Sequence, residues 1–88
     1  MIQEHYHCSI IDEDDCMKEL SVCNNNGTWE VWDDWGEITK GETLLSEHNT
    51  KKEAVLEAYK LLKENFKVKY LMEGAGCPND IIQQEELR

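Results

Sequence analysis

The chain of 88 residues has few basic residues and no long apolar run. Nine lysines and arginines stand against nineteen aspartates and glutamates, giving a formal net charge of −10 at pH 7. Direct nucleic-acid binding is disfavoured, because its main affinity comes from Lys and Arg side chains that meet phosphates. No apolar stretch approaches the ~20 residues of a membrane-spanning helix, and residues 1–6 lack the basic and apolar regions of a secretion signal. We therefore expect a cytoplasmic protein that does not bind membranes.

The negative charge is concentrated in the first part of the chain. Residues 1–50 contain twelve acidic residues but only Lys18 and Lys40, whereas residues 51–88 contain seven residues of each sign. A one-sided field of this kind attracts basic partners and repels nucleic acid. The charge distribution therefore predicts a basic protein as partner.

The four cysteines do not predict a disulfide framework or a zinc site. They are Cys8, Cys16, Cys23 and Cys77. In a chain without an export signal thiols usually stay reduced, so we expect free thiols. Structural zinc sites bring their ligands as closely spaced pairs, which this spacing lacks. His5 and His7 share one face of a predicted strand beside Cys8, but we interpret them as polar strand residues rather than metal ligands.

Alternating polarity and one turn motif predict the first strands. Residues 2–11 alternate with the period of a half-buried strand. Asn26-Gly27 is the preferred pair for a type I′ turn, so it joins a strand at 17–23 to one at 28–35. This register places Leu20, Val22, Trp29 and Val31 on one face of the hairpin, and Ser21, Cys23, Glu30 and Trp32 on the other.

The second half of the chain predicts one helix between strands. Residues 37–47 read as a further, looser strand, and 67–72 as a last strand with Val68, Tyr70 and Met72 on one side. Between them, Thr50 and Glu53 form a capping box that begins a helix over 50–66. Its predicted buried stripe consists of Ala54, Val55, Ala58, Leu61, Leu62 and Phe66.

These elements predict one α+β domain over residues 1–88, because a chain of this size has room for a single core. We expect an antiparallel sheet of three to five strands with one amphipathic helix packed on one face. The predicted order is β-β-β-α-β, with a short C-terminal tail at 74–88.

The candidate binding residues are aromatic and acidic. Trp29, Trp32 and Trp35 fall within seven residues, and alternation points Trp32 outward, where an exposed tryptophan is typical of a binding hot spot. The alternative is that Trp32 packs under the tail or against the first strand. The predicted partner-binding residues are Glu30, Trp32, Asp33, Asp34, Trp35 and Glu37 of the hairpin region, and Asp12, Glu13, Asp14 and Asp15 of an acidic loop.

Motifs for chemistry are lacking. The acidic loop has Met17 and Cys23 where a calcium loop needs glycine and glutamate. Residues 74–78 contain two glycines but no third glycine and no following lysine, so they are not a phosphate-binding loop. No convergent acid, base and nucleophile can be named. We therefore expect no enzyme activity and no cofactor or metal.

In size, acidity and lack of catalytic groups the chain resembles the small phage or mobile-element proteins that inhibit host defence, including anti-CRISPR and anti-restriction proteins. The resemblance covers composition and transfers no site residue. It implies an inhibitor that imitates the negative charge of DNA on a basic nucleic-acid-handling protein, in the host cytoplasm if the gene is phage-encoded. The first alternative is a housekeeping domain or homodimer in which charge serves solubility, and a second, less favoured one is a metal-binding protein.

Overall fold

The computed structural model describes residues 5–71, which form five strands and one helix. These are β1 (His5–Asp12), β2 (Met17–Asn25), β3 (Thr28–Asp33), β4 (Thr43–His48), α1 (Lys51–Asn65) and β5 (Val68–Leu71). The strands pair antiparallel in one open sheet of order β4-β3-β2-β1-β5. Helix α1 packs across β1 to β4. The predicted α+β class is confirmed, while the predicted tail at 74–88 lies outside the described residues.

Four strands precede the helix, one for each predicted strand segment, although the predicted order β-β-β-α-β counted three. The strand predicted at 37–47 is shorter than expected, because residues 34–42 form an irregular connection and β4 begins only at Thr43. Pairing with β3 then shifts by one residue: Val31 faces Ser46, whereas Trp32 faces Leu44. The extra residue is Leu45, a bulge that lets Leu45 pack against the core while Leu44 points away from it.

The β2–β3 hairpin forms as the Asn-Gly pair predicts. Asn26 and Gly27 have φ angles of 55° and 93°, the positive values that a type I′ turn requires at both central positions. The backbone N–H of Gly27 also donates to Asn24 Oδ1 at 2.8 Å. Val22 faces Val31 and Asn25 faces Thr28, so the predicted register is confirmed.

The core lies between α1 and one face of the sheet. Its buried apolar side chains are Cys8, Ile10, Leu20, Val22, Trp29, Val31, Ala54, Val55, Ala58, Tyr59 and Leu62. Tyr59 was absent from the predicted helical stripe, and Leu61 and Phe66 are only partly buried. The helix begins as predicted: Thr50 Oγ1 accepts from the backbone N–H of Glu53 at 3.2 Å, and its hydroxyl donates to Glu53 Oε1 at 3.0 Å.

Strand β5 does not show the predicted alternation. Val68 and Leu71 pack against the core, whereas Tyr70 is 55% exposed. The pairing of β5 with β1 shifts between Ile11 and Asp12, and an irregularity at this point breaks the period of two that the prediction assumed. Tyr70 therefore lies opposite Ile11 on the face turned away from the helix.

The hairpin turn is testable through Gly27. A side chain at its φ of 93° is strained, so Gly27→Ala should lower the free energy of unfolding by about 1 kcal/mol. Gly41→Ala is the matched control, because Gly41 has no positive φ and an added Cβ meets nothing within 4 Å. Urea denaturation checks both variants; equal stability of the two would contradict the type I′ assignment.

Candidate functional site

The face of the sheet turned away from α1, here called the open face, is the candidate site. No element within residues 5–71 packs on it. It follows from strand alternation, because a single helix covers only the opposite face. The open face consists of His5, His7, Ser9, Ile11, Met17, Glu19, Ser21, Cys23, Glu30, Trp32, Leu44, Glu47 and Tyr70.

A shallow depression of about 230 Å³ lies on the open face along β2. We call it the β2 groove; its lining residues are His5, Ser21, Cys23, Glu30, Trp32, Asp34 and Glu42. Ser21 and Cys23 are small residues of an interior strand, whereas β3 beside them presents the larger Glu30 and Trp32. This difference in side-chain length between neighbouring strands creates the groove.

Glu30 and Trp32 form one wall of the groove and fix each other. The indole Nε1 of Trp32 donates to Glu30 Oε1 at 3.0 Å. Trp32 is half-buried and lies between Ser21 and Leu44 in the cross-strand row. Its indole hydrogen bond and its strand neighbours therefore hold the ring in position on the open face.

Uncharged groups also hold the second carboxylate of the groove. The hydroxyl of Ser21 donates to Asp34 Oδ2, which places Asp34 over β2 although it follows the last residue of β3. Asn25 Nδ2 lies 3.5 Å from Glu30 Oε2. Among residues 5–71 neither Glu30 nor Asp34 forms an ion pair with a lysine, so their negative charge is uncompensated within this part of the chain.

Glu19 extends the acidic surface toward β1. Its Oε1 lies 3.0 Å from His7 Nδ1 and accepts from the Ser9 hydroxyl at 3.4 Å. The rings of His5 and His7 lie 4.7 Å apart between their centroids. No group of three metal-ligating residues occurs in the described chain.

The pKa of the Cys23 thiol depends on burial and on the negative charges around the groove. Burial raises the pKa of its thiol above the ordinary value, and the negative charges of Glu30 and Asp34 raise it further. Cys23 Sγ lies 3.9 Å from Glu30 Oε1. The thiol is therefore protonated near neutral pH and a poor nucleophile, because the thiolate is the reactive form.

Asp33 differs from the expectation that it belongs to the binding surface. Its side chain is fully buried at the core-facing end of β3. Backbone N–H groups of Glu37, Ile38 and Thr39 donate to its carboxylate at 2.7 to 2.9 Å, and the Thr39 hydroxyl lies 2.9 Å from Oδ2. A partner has no access to this group, so Asp33 organises the connection between β3 and β4 instead.

Hydrogen bonding decides the ionisation of Asp33. Burial alone would raise the pKa of this carboxyl, but the backbone N–H groups of Thr39, Ile38 and Glu37 and the Thr39 hydroxyl favour the charged form and lower it below its ordinary value. A buried carboxylate without these donors would be strongly unfavourable. The 34–42 connection therefore depends on one ionised side chain.

This connection presents Trp35 and Glu37 at one end of the sheet. Trp35 is 69% exposed, while Glu37 is partly buried and its N–H is committed to Asp33. Gly36 has a φ of 69°, and a Cβ there would meet backbone atoms of Gly41 at 3.2 to 3.3 Å. The exposure of Trp35 therefore follows from a tight turn of the backbone rather than from strand alternation.

The acidic loop lies at the same end of the sheet as Trp35, because antiparallel pairing brings the β1–β2 and β3–β4 connections together. Asp12 Oδ1 accepts from the backbone N–H groups of Asp14 and Cys16 at 2.9 and 3.0 Å. Asp15 pairs with Lys69 Nζ at 2.7 Å. Asp12 and Asp15 thus stabilise the loop and its contact with β5. The side chains of Glu13, Asp14 and Asp15 are exposed.

Sequence reasoning missed the groove residues Ser21, Cys23, His5 and Glu42. The available signal was the pair of small side chains on the outward face of β2, next to a predicted outward tryptophan on β3. No sequence pattern predicted Glu42 as a groove residue, because the irregular connection before β4 brings it to the groove. The described chain contains no helix that is both long and apolar enough to cross a membrane.

Asp33→Asn should lower the free energy of unfolding by about 3 kcal/mol at pH 7, because an amide loses the charge and turns a donor toward backbone N–H groups. The stability that the low pKa provides is present above the carboxyl pKa of the unfolded chain and is lost as the pH falls through the folded value. The difference between wild type and variant should therefore shrink below about pH 4.

Urea denaturation from pH 7 to pH 2 measures this difference. Asp34→Asn is the matched control, since Asp34 is partly exposed and accepts one hydroxyl. Equal losses in the two variants at pH 7 would show that Asp33 does not hold the connection.

Removing the charge at Glu30 should lower the pKa of Cys23. Glu30→Gln should therefore increase the rate at which the uncharged reagent iodoacetamide alkylates Cys23 at pH 8, whereas Glu57→Gln on α1 should leave it unchanged. Peptide mapping by mass spectrometry follows the alkylation of Cys23 separately. An unchanged rate in Glu30→Gln would mean that Glu30 does not set the potential in the groove.

Comparison with known proteins gives no relative from which a role can be transferred. No protein-family model matches the chain, and neither the curated proteins nor the solved structures include one that matches it. A proposal for the function therefore starts from the arrangement of the open face.

Proposed function

We propose that this protein is a small acidic protein-binding module whose open face binds a basic partner protein. The observation that carries the proposal is the pair of carboxylates of Glu30 and Asp34, held beside Trp32 by uncharged donors and without a lysine partner in the described chain. A basic partner supplies the missing countercharge, and Trp32 supplies the aromatic contact typical of a hot spot.

The distribution of charge over the described surface favours the open face, rather than helix α1, as the binding site for a basic partner. Helix α1 carries acidic and basic residues together, including an ion pair between Lys60 and Glu64 at 3.9 Å. The acidic loop is tied to β5 through Lys69. The acidic residues of the open face are instead Glu19, Glu30 and Glu47, and Asp34 and Glu42 join them at the β2 groove.

A finer proposal concerns the kind of basic partner. A surface that attracts cations competes with phosphates for the same Lys and Arg side chains. We propose a partner that handles nucleic acid, which this protein inhibits in the manner of the anti-CRISPR or anti-restriction proteins that its composition resembles. The support is the acidic open face together with the net charge of −10.

Affinity capture tests the binding function. The tagged protein is incubated with an extract of its source cell at low and high salt, and retained proteins are identified by mass spectrometry. We expect a basic protein that is lost at high salt, because exposed charges are screened. Glu30→Gln combined with Glu42→Gln should abolish its capture, whereas the matched pair Glu57→Gln and Glu64→Gln on α1 should not.

The purified partner then distinguishes the finer proposal. Duplex DNA or RNA should displace it from the wild-type protein if the partner uses its nucleic-acid surface. Capture that is equally strong in both double variants would exclude the open face. Recovery of nothing but the protein itself would favour the homodimer or housekeeping alternative.

A further inference from the structure

We infer that the β2 groove receives an arginine side chain of the partner, with the guanidinium against the Trp32 ring and paired with the carboxylates around it. This inference rests on the proposed function and names the group that the open face recognises. It starts from the shape of the groove: a floor of Ser21 and Cys23 leaves space for one inserted side chain between β1 and β3.

The lining of the groove is complementary to a cation. Glu30, Asp34 and Glu42 line it, and no lysine within residues 5–71 does. Burial first, and then Glu30 and Asp34, raise the pKa of the Cys23 thiol, which is consistent with a negative potential at the groove floor. His5 is the one basic side chain among the described lining residues.

The aromatic wall favours arginine over lysine. A planar guanidinium stacks on an aromatic ring and donates to carboxylates through a fixed fork, whereas an ammonium is a compact and strongly hydrated charge. Trp32 is held by its Nε1 bond to Glu30, so its ring and the carboxylate are positioned together before any ligand arrives. Preorganisation of this kind reduces the ordering cost of binding.

Three short peptides of equal length test the inference: hexa-arginine, hexa-lysine and hexa-citrulline, the last being the neutral isostere of arginine. Each is titrated into the 15N-labelled full chain at low salt. We expect the arginine peptide to shift the indole N–H signal of Trp32 and the amide signals of Ser21 and Cys23. Binding of the lysine peptide should be at least tenfold weaker, and citrulline should cause no shift.

Two pairs of variants locate the site. Glu30→Gln and Trp32→Leu should each weaken hexa-arginine binding at least fivefold. The control for Glu30→Gln is Glu57→Gln on α1, and the control for Trp32→Leu is Trp32→Phe. Amide spectra show whether each variant is folded, and Trp32→Phe, which keeps an aromatic ring, should retain most of the affinity.

Equal affinity for arginine and lysine peptides, or shifts that are confined to residues 12–15, would overturn the inference. If capture of a partner depends on Glu30 and Glu42 but hexa-arginine does not bind in the groove, the arginine inference alone is overturned. The proposed binding function then remains. Arginine-specific binding in the groove without any salt-sensitive partner supports the inference and overturns the proposed function alone.

Discussion

One helix must cover a five-stranded sheet, and this limit governs the rest of the molecule. Helix α1 has 15 residues and lies on one face of the sheet, where the apolar side chains of β1, β2 and β3 are buried against it. Alternation along each strand sends the other half of the side chains to the opposite face. That face carries small polar, acidic and aromatic residues, and among residues 5–71 nothing packs on it. The candidate site is therefore the consequence of a single helical layer.

The molecule uses its carboxylates in two different ways. Asp33 is buried and accepts hydrogen bonds from three backbone N–H groups. Its charge therefore stabilises the connection that carries Trp35 and Glu42. Glu30 and Asp34 accept from uncharged side chains and retain their negative charge at the surface of the groove. Adjacent residues Asp33 and Asp34 thus have opposite roles, because alternation turns one toward the core and the other toward the open face.

Much of the fold could be predicted because local signals were strong. Asn26-Gly27 demands positive φ at two successive residues, which determines the hairpin register, and the outward position of Trp32 follows from it. The open face and its acidic character could therefore be predicted. The burial of Asp33 could not, because a carboxylate becomes acceptable in a core only when backbone N–H groups converge on it, and here the irregular connection after β3 supplies them. The outward position of Tyr70 depended likewise on a pairing irregularity between β1 and β5.

The amino-acid sequence by itself determined the net charge of −10, the helix with its Thr50 cap, the hairpin and the segregation of acidic residues into the first fifty positions. These depend on composition, on period and on contacts between near neighbours in the chain. Only the tertiary structure decided which acidic residues are accessible and which small residues form a groove floor. Those properties depend on strand order and on the conformation of residues 34–42, where side chains distant in sequence meet and where burial, rather than charge type, decides what a carboxylate can bind.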